Sequence, residues 1–96
     1  MKKADKETII YICNLMITHL SVYGEPGMCS ALHNIYQNGD ITILQYGLMS
    51  NYIRDNRPKR GIHYDTEYKD SVYWYFMWST PPRIAWLTYT KTKLSK

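Results

Sequence analysis

The sequence predicts a mainly α fold: a compact small domain of about four helices with one short extended aromatic segment. Three observations point there. Three stretches before residue 56 carry apolar residues at helical spacing, each closed by turn-forming residues. A fourth helical stretch, after residue 80, opens on two prolines. Between them, Val72–Trp78 is too β-prone and aromatic to be a turn. With 96 residues, 45% of them hydrophobic and 21% charged, the chain is globular and has room for a single core. Residues 1–96 are read as one domain, with flexible ends at about 1–5 and 91–96.

Asp5 is the expected N-cap of the first helix, which runs from Lys6 to Val22. Ile9, Cys13, Met16 and Leu20 form one apolar stripe on it. Tyr11, Leu15 and Val22 form a second line on the opposite side, leaving a narrow polar strip with Asn14, Thr18 and Ser21. Such a helix is either the centre of a tiny core or a self-association surface, and its two apolar sides favour self-association. Gly24-Glu25-Pro26-Gly27 is a turn. The second helix, about Met28 to Asn38, buries Met28, Leu32, Ile35 and Tyr36, and Gly39 closes it at C′.

Thr42 then begins a Thr-x-x-Gln capping box with Gln45. The third helix, about Ile43 to Asp55, carries a broad apolar arc of Leu44, Leu48, Met49, Tyr52 and Ile53. Asn56-Arg57-Pro58 ends it, because proline disfavours a helical residue before it. Residues 57–71 are polar and without periodicity. In the extended segment, alternation puts Val72, Trp74, Phe76 and Trp78 on one face and Tyr73, Tyr75 and Met77 on the other. The last helix runs from Pro82 to about Thr90, with Ile84 and Leu87 inward and Arg83 and Trp86 on another face. Its Thr-rich end is expected to fray.

The net charge of +4 is unevenly placed. Lys2, Lys3 and Lys6 outnumber Asp5 and Glu7 at one end, and Lys91, Lys93 and Lys96 stand unopposed at the other. In the body, Arg54, Arg57, Lys59, Arg60, Lys69 and Arg83 are matched by Glu25, Asp40, Asp55, Asp65, Glu67 and Asp70. A nucleic-acid binder carries its basic stripe on a folded face, so this distribution argues against nucleic acid as the partner. The longest apolar run, Val72–Trp78, is too short to span a bilayer, and no secretory pattern opens the chain. Cys13 and Cys29, the only cysteines, sit in helical patterns and are read as reduced and intracellular. Cys29, His33 and His19 invite a metal reading, with Cys29 and His33 four apart on one helix face, yet no CxxC pair or HExxH is present, so no metal and no cofactor are expected.

Ten Tyr and three Trp stand against a single Phe. Nearly every aromatic therefore carries a polar handle, which suits interfaces and ligand pockets.

Four short motifs, taken in order, resemble a pattern of small accessory proteins of tailed bacteriophages. They are Gly27-Met-Cys-Ser-Ala-Leu32, Asn56-Arg-Pro58, Tyr73-Trp74 and Pro82-Arg-Ile-Ala-Trp-Leu87. The resemblance covers about residues 12–87. The chain departs from the pattern in its longer Tyr-Trp-Tyr-Phe run and its lysine tail. What the resemblance implies is a viral origin, a place in the host cytoplasm, and an anti-defence role. Some such proteins sequester nucleotide-derived immune signals in oligomeric assemblies.

Catalysis is not expected, because no Gly-rich phosphate loop, GxSxG elbow or HxT pair is present. His63-Tyr64-Asp65 puts an imidazole near a carboxylate, but in a polar loop such a pair is ordinarily solvated. Binding has better material. Arg57, Arg60 and Arg83 offer planar forks for phosphate oxygens. Tyr64, Tyr73, Trp74 and Trp86 offer rings around a base, a contact worth ~1–3 kcal/mol. The plainer reading makes Trp74, Phe76 and Trp78 core and the loop arginines a solvated face. Arg83 at a helix start opposes the macrodipole and so needs another reason to exist. The expected function is that of a homo-oligomeric, non-catalytic nucleotide-binding sponge. The alternatives are a protein-directed inhibitor of a host enzyme acting through a Tyr/Trp surface, or a small nucleic-acid-binding protein.

Overall fold

The structure, a computed structural model, describes residues 1–24, 27–56 and 80–96. Loop 57–71, the expected extended segment Val72–Trp78, and Glu25 and Pro26 of the first turn lie outside the described residues. Four helices make up the described part: α1 (Lys3–Tyr23), α2 (Met28–Gln37), α3 (Ile43–Asn56) and α4 (Thr80–Leu94). The protein is mainly α.

Helix α1 starts earlier than its sequence suggests. Its N-cap is Lys2, with no side-chain capping bond, and Asp5 sits in the first turn, where a carboxylate favours the positive end of the helix dipole. At the other end Gly24 takes φ 75°, and its N–H donates to the Leu20 carbonyl at 2.9 Å. The end of α2 is a Schellman motif. Gly39 N–H donates to Tyr36 O and Asp40 N–H to Ile35 O, both at 3.0 Å, with Gly39 at φ 84°. Three residues on, the capping box forms as expected. Gln45 N–H donates to Thr42 Oγ1 at 3.1 Å, and Thr42 N–H donates to Gln45 Oε1 at 2.8 Å.

One core holds these pieces together. Helix α1 contributes Ile9, Ile12, Cys13, Met16 and Leu20, and α2 contributes Met28, Ala31, Leu32 and Ile35. Ile41, then Met49, Tyr52 and Ile53 of α3, and Trp86 and Leu87 of α4 complete it. The principal packing is between α1 and α4, the first and last helices of the chain. Lys91 Nζ donates to Asn14 Oδ1 across that contact at 3.0 Å. Antiparallel α1 and α2 are tied at two levels: Asn34 Nδ2 lies 3.4 Å from His19 Nε2, and Tyr11 Oη donates to Asp40 O at 3.2 Å.

Three expectations about faces are corrected by this packing. The second apolar line of α1 is not uniformly open. Leu15 packs against the core, Tyr11 is half exposed with its hydroxyl engaged, and only Val22 stands clear at 69%. On α3, Leu44 of the predicted apolar arc is 83% exposed, as is its neighbour Ile43 at 60%, so the first turn of the helix takes no part in the core. On α4 the inward face is Arg83, Trp86, Leu87 and Thr90, while Ile84 is only half buried. The helix also continues past Thr90. Leu94 packs against the core, so the Thr-rich end is anchored rather than frayed.

Candidate functional site

Of the seven residues that the sequence nominates for ligand contact, Arg57, Arg60, Tyr64, Tyr73 and Trp74 lie outside the described residues. Trp86 is placed in the core. It is 2% exposed, its indole N–H donates to the Asn56 carbonyl at 3.2 Å, and its ring lies 6.3 Å from that of Tyr52. A ring so enclosed offers no open face to a stacking base. Arg83, one turn earlier on the same helix, is 7% exposed and is not an unpartnered cation. No buried side-chain nitrogen or oxygen among the described residues lacks a hydrogen-bond partner.

The outer face of the same helix builds a different site. Ala85, Thr88, Tyr89, Thr92, Lys93 and Lys96 line a cavity of about 480 Å³, within the usual range for small-molecule sites. Lys93 Nζ sits 5.9 Å from the centroid of the Tyr89 ring, a cation–π arrangement. Lys91, by contrast, points the other way, toward Asn14. The described lining thus combines a ring, two hydroxyls and two ammonium groups, a set suited to holding an anion with an aromatic part. Sequence reasoning missed it by treating residues 91–96 as a mobile charged tail. The available signal was the spacing of Tyr89, Lys93 and Lys96, which a helix continued to Leu94 brings onto one face.

A smaller cavity of about 190 Å³ lies between α2 and α3, lined by Cys29, Leu32, Tyr46, Ser50, Ile53 and Arg54. The Arg54 Nε already faces Asp55 Oδ1 at 3.3 Å. Beside this cavity, the rings of His33, Tyr36 and Tyr46 pack together, with Tyr36 and Tyr46 centroids 5.1 Å apart. His19 instead stacks on Tyr23 at 4.6 Å, so the two described histidines belong to separate clusters. Among the described residues, no three His, Cys, Asp or Glu side chains converge as metal ligands would.

Both cysteines are free thiols. Burial pushes the Cys13 thiol from 9.0 up to about 12, partly offset by the positive charge of Lys91. Cys29 is exposed. No described helix is long and apolar enough to cross a membrane. Comparison with known proteins found no matching family model, no similar curated protein and no similar solved structure.

Proposed function

We propose that this protein binds and sequesters a nucleotide-type small molecule without cleaving it, in the manner of a phage anti-defence sponge. The observation that carries the reading is the cavity on the outer face of α4. It sets the Tyr89 ring and the Lys93 and Lys96 cations around a space of nucleotide size. A base stacks on an aromatic ring and phosphates pair with ammonium groups, so the two halves of such a ligand each meet a matching surface. The described lining presents ammonium, hydroxyl and ring groups, which hold a ligand. Arg57 and Arg60 enter this reading from the sequence alone, as further phosphate contacts.

Assembly into a homo-oligomer is part of the proposal, resting on the apolar residues that the fold leaves outside, Val22 and Tyr23 on α1 and Ile43 and Leu44 on α3. The adjacent pair Ile43 and Leu44 also favours a second reading, an inhibitor that docks on a host protein.

The deciding experiment incubates the protein with cyclic, linear and ADP-ribose-type nucleotides, removes unbound ligand, denatures the protein and analyses what is released. Intact nucleotide in the released fraction supports sequestration. A processed product overturns it, and retention of no nucleotide leaves the protein-directed reading in its place. Light scattering that shows a monomer at micromolar concentration removes the oligomer.

A further inference from the structure

Resting on that reading, we infer that the α4 cavity is matched to the linear order of a nucleoside 5′-diphosphate, with the base at Tyr89 and the two phosphates at Lys93 and Lys96. The described wall of the cavity is a single helix face, so its chemistry is ordered along one axis. Ala85, Thr88 and Tyr89 come first, Thr92 and Lys93 next, and Lys96 last. Helical rise places Lys93 about 6 Å beyond Tyr89, and Lys96 follows two residues after Leu94, the last residue of the helix. The helix ends at Leu94, and Ser95 closes it, its N–H donating to Lys91 O at 3.1 Å and its Oγ to the same carbonyl at 2.6 Å.

From Tyr89 onward the lining runs ring, Thr92 hydroxyl, Lys93 and Lys96, the order of base, ribose and phosphates. Ala85 leaves room for the edge of a base that overhangs Tyr89. Thr88 and Thr92, one turn apart, can both accept from and donate to ribose hydroxyls. Lys93, which reaches back over Tyr89, meets the first phosphate, and Lys96 the second. A cyclic mononucleotide folds its phosphate against the ribose and cannot reach Lys96 while its base lies on Tyr89. A bare pyrophosphate engages both lysines but leaves the ring unused. Lysines near a helix C-terminus also complement its dipole. That role alone creates no preference between one phosphate and two, so discrimination is the quantity to measure.

Calorimetric titration of the full chain with ADP, AMP, cyclic AMP and inorganic pyrophosphate tests this. ADP should bind about ten- to a hundredfold more tightly than AMP, the factor that one charge-assisted contact supplies. Pyrophosphate should fall about tenfold or more below ADP for want of stacking. Lys96→Gln should abolish the preference for ADP over AMP. Lys93→Gln should weaken both. Each lysine is exposed, so both variants should melt like the wild type. Tyr89→Leu should lower ADP affinity toward that of pyrophosphate. Equal binding of ADP and AMP, an unchanged ratio in Lys96→Gln, or cyclic AMP binding as tightly as ADP overturns the inference while sequestration stands. If none of the nucleotides binds the wild type, sequestration and the inference fall together.

Discussion

Replacing Trp86 by alanine removes the bulkiest of the fully buried side chains among the described residues. The indole is 2% exposed, packs near Tyr52 and donates to the Asn56 carbonyl, so truncation removes burial, a ring contact and a hydrogen bond together. Buried Trp→Ala changes cost ~3–5 kcal/mol, with the spread set by how far the site can collapse. A domain of this size has about 5–14 kcal/mol to lose. The loss should therefore lower the melting temperature by at least about 12 °C, at about 4–8 °C per kcal/mol. Trp86→Phe keeps most of the ring and leaves the Asn56 carbonyl without its donor, so it should cost about 1–3 kcal/mol. Thermal and urea unfolding followed by circular dichroism at 222 nm measures both variants. The urea slope should stay unchanged if only stability moves. A Trp86→Ala protein that melts within about 2 °C of the wild type would refute the placement of this ring in the core.

Four further outcomes are expected. Thr42→Ala breaks the reciprocal Thr42–Gln45 cap and should cost about 1 kcal/mol, read as a melting shift of about 4–8 °C; no shift would mean the box does not hold α3. Gly39→Ala should cost ~1–2 kcal/mol through its backbone alone, since φ is +84° and a Cβ there meets nothing within 4 Å; an Asn at this position should cost less. Finally, a thiol reagent at pH 8 should modify Cys29 at once and Cys13 only on unfolding, because the buried thiol carries about a thousandfold less thiolate than an ordinary cysteine. The folded thiol ionises near pH 12 and the unfolded one near 9, so the unfolded chain releases the proton first. Stability should then decline as pH rises from about 9 toward 12, and a Cys13→Ala variant should decline less.

Local chemistry made much of this protein legible in its residues. The Schellman end at Gly39, the cap at Thr42 and Gln45 and the left-handed Gly24 are each satisfied by groups within five residues, so neighbouring letters suffice to announce them. The same holds for the four described helices and for the stripe Ile9, Cys13, Met16 and Leu20, whose period needs no partner to be seen. The start of α1 was less legible because Lys2 offers no capping side chain to mark it.

What the tertiary structure alone decided was which apolar residues find a neighbour. Leu15 and Val22 read alike on α1, yet one packs on the core and the other stands in solvent. Arg83 and Trp86 turn inward on α4 because that helix lies against α1, a contact between the two ends of the chain. Burying that face leaves Tyr89, Lys93 and Lys96 on the opposite one, and so moves the candidate site away from Trp86. Helix existence and caps follow from interactions a few residues long. The choice of buried face depends on surfaces that only the folded chain brings together, and no local pattern encodes it.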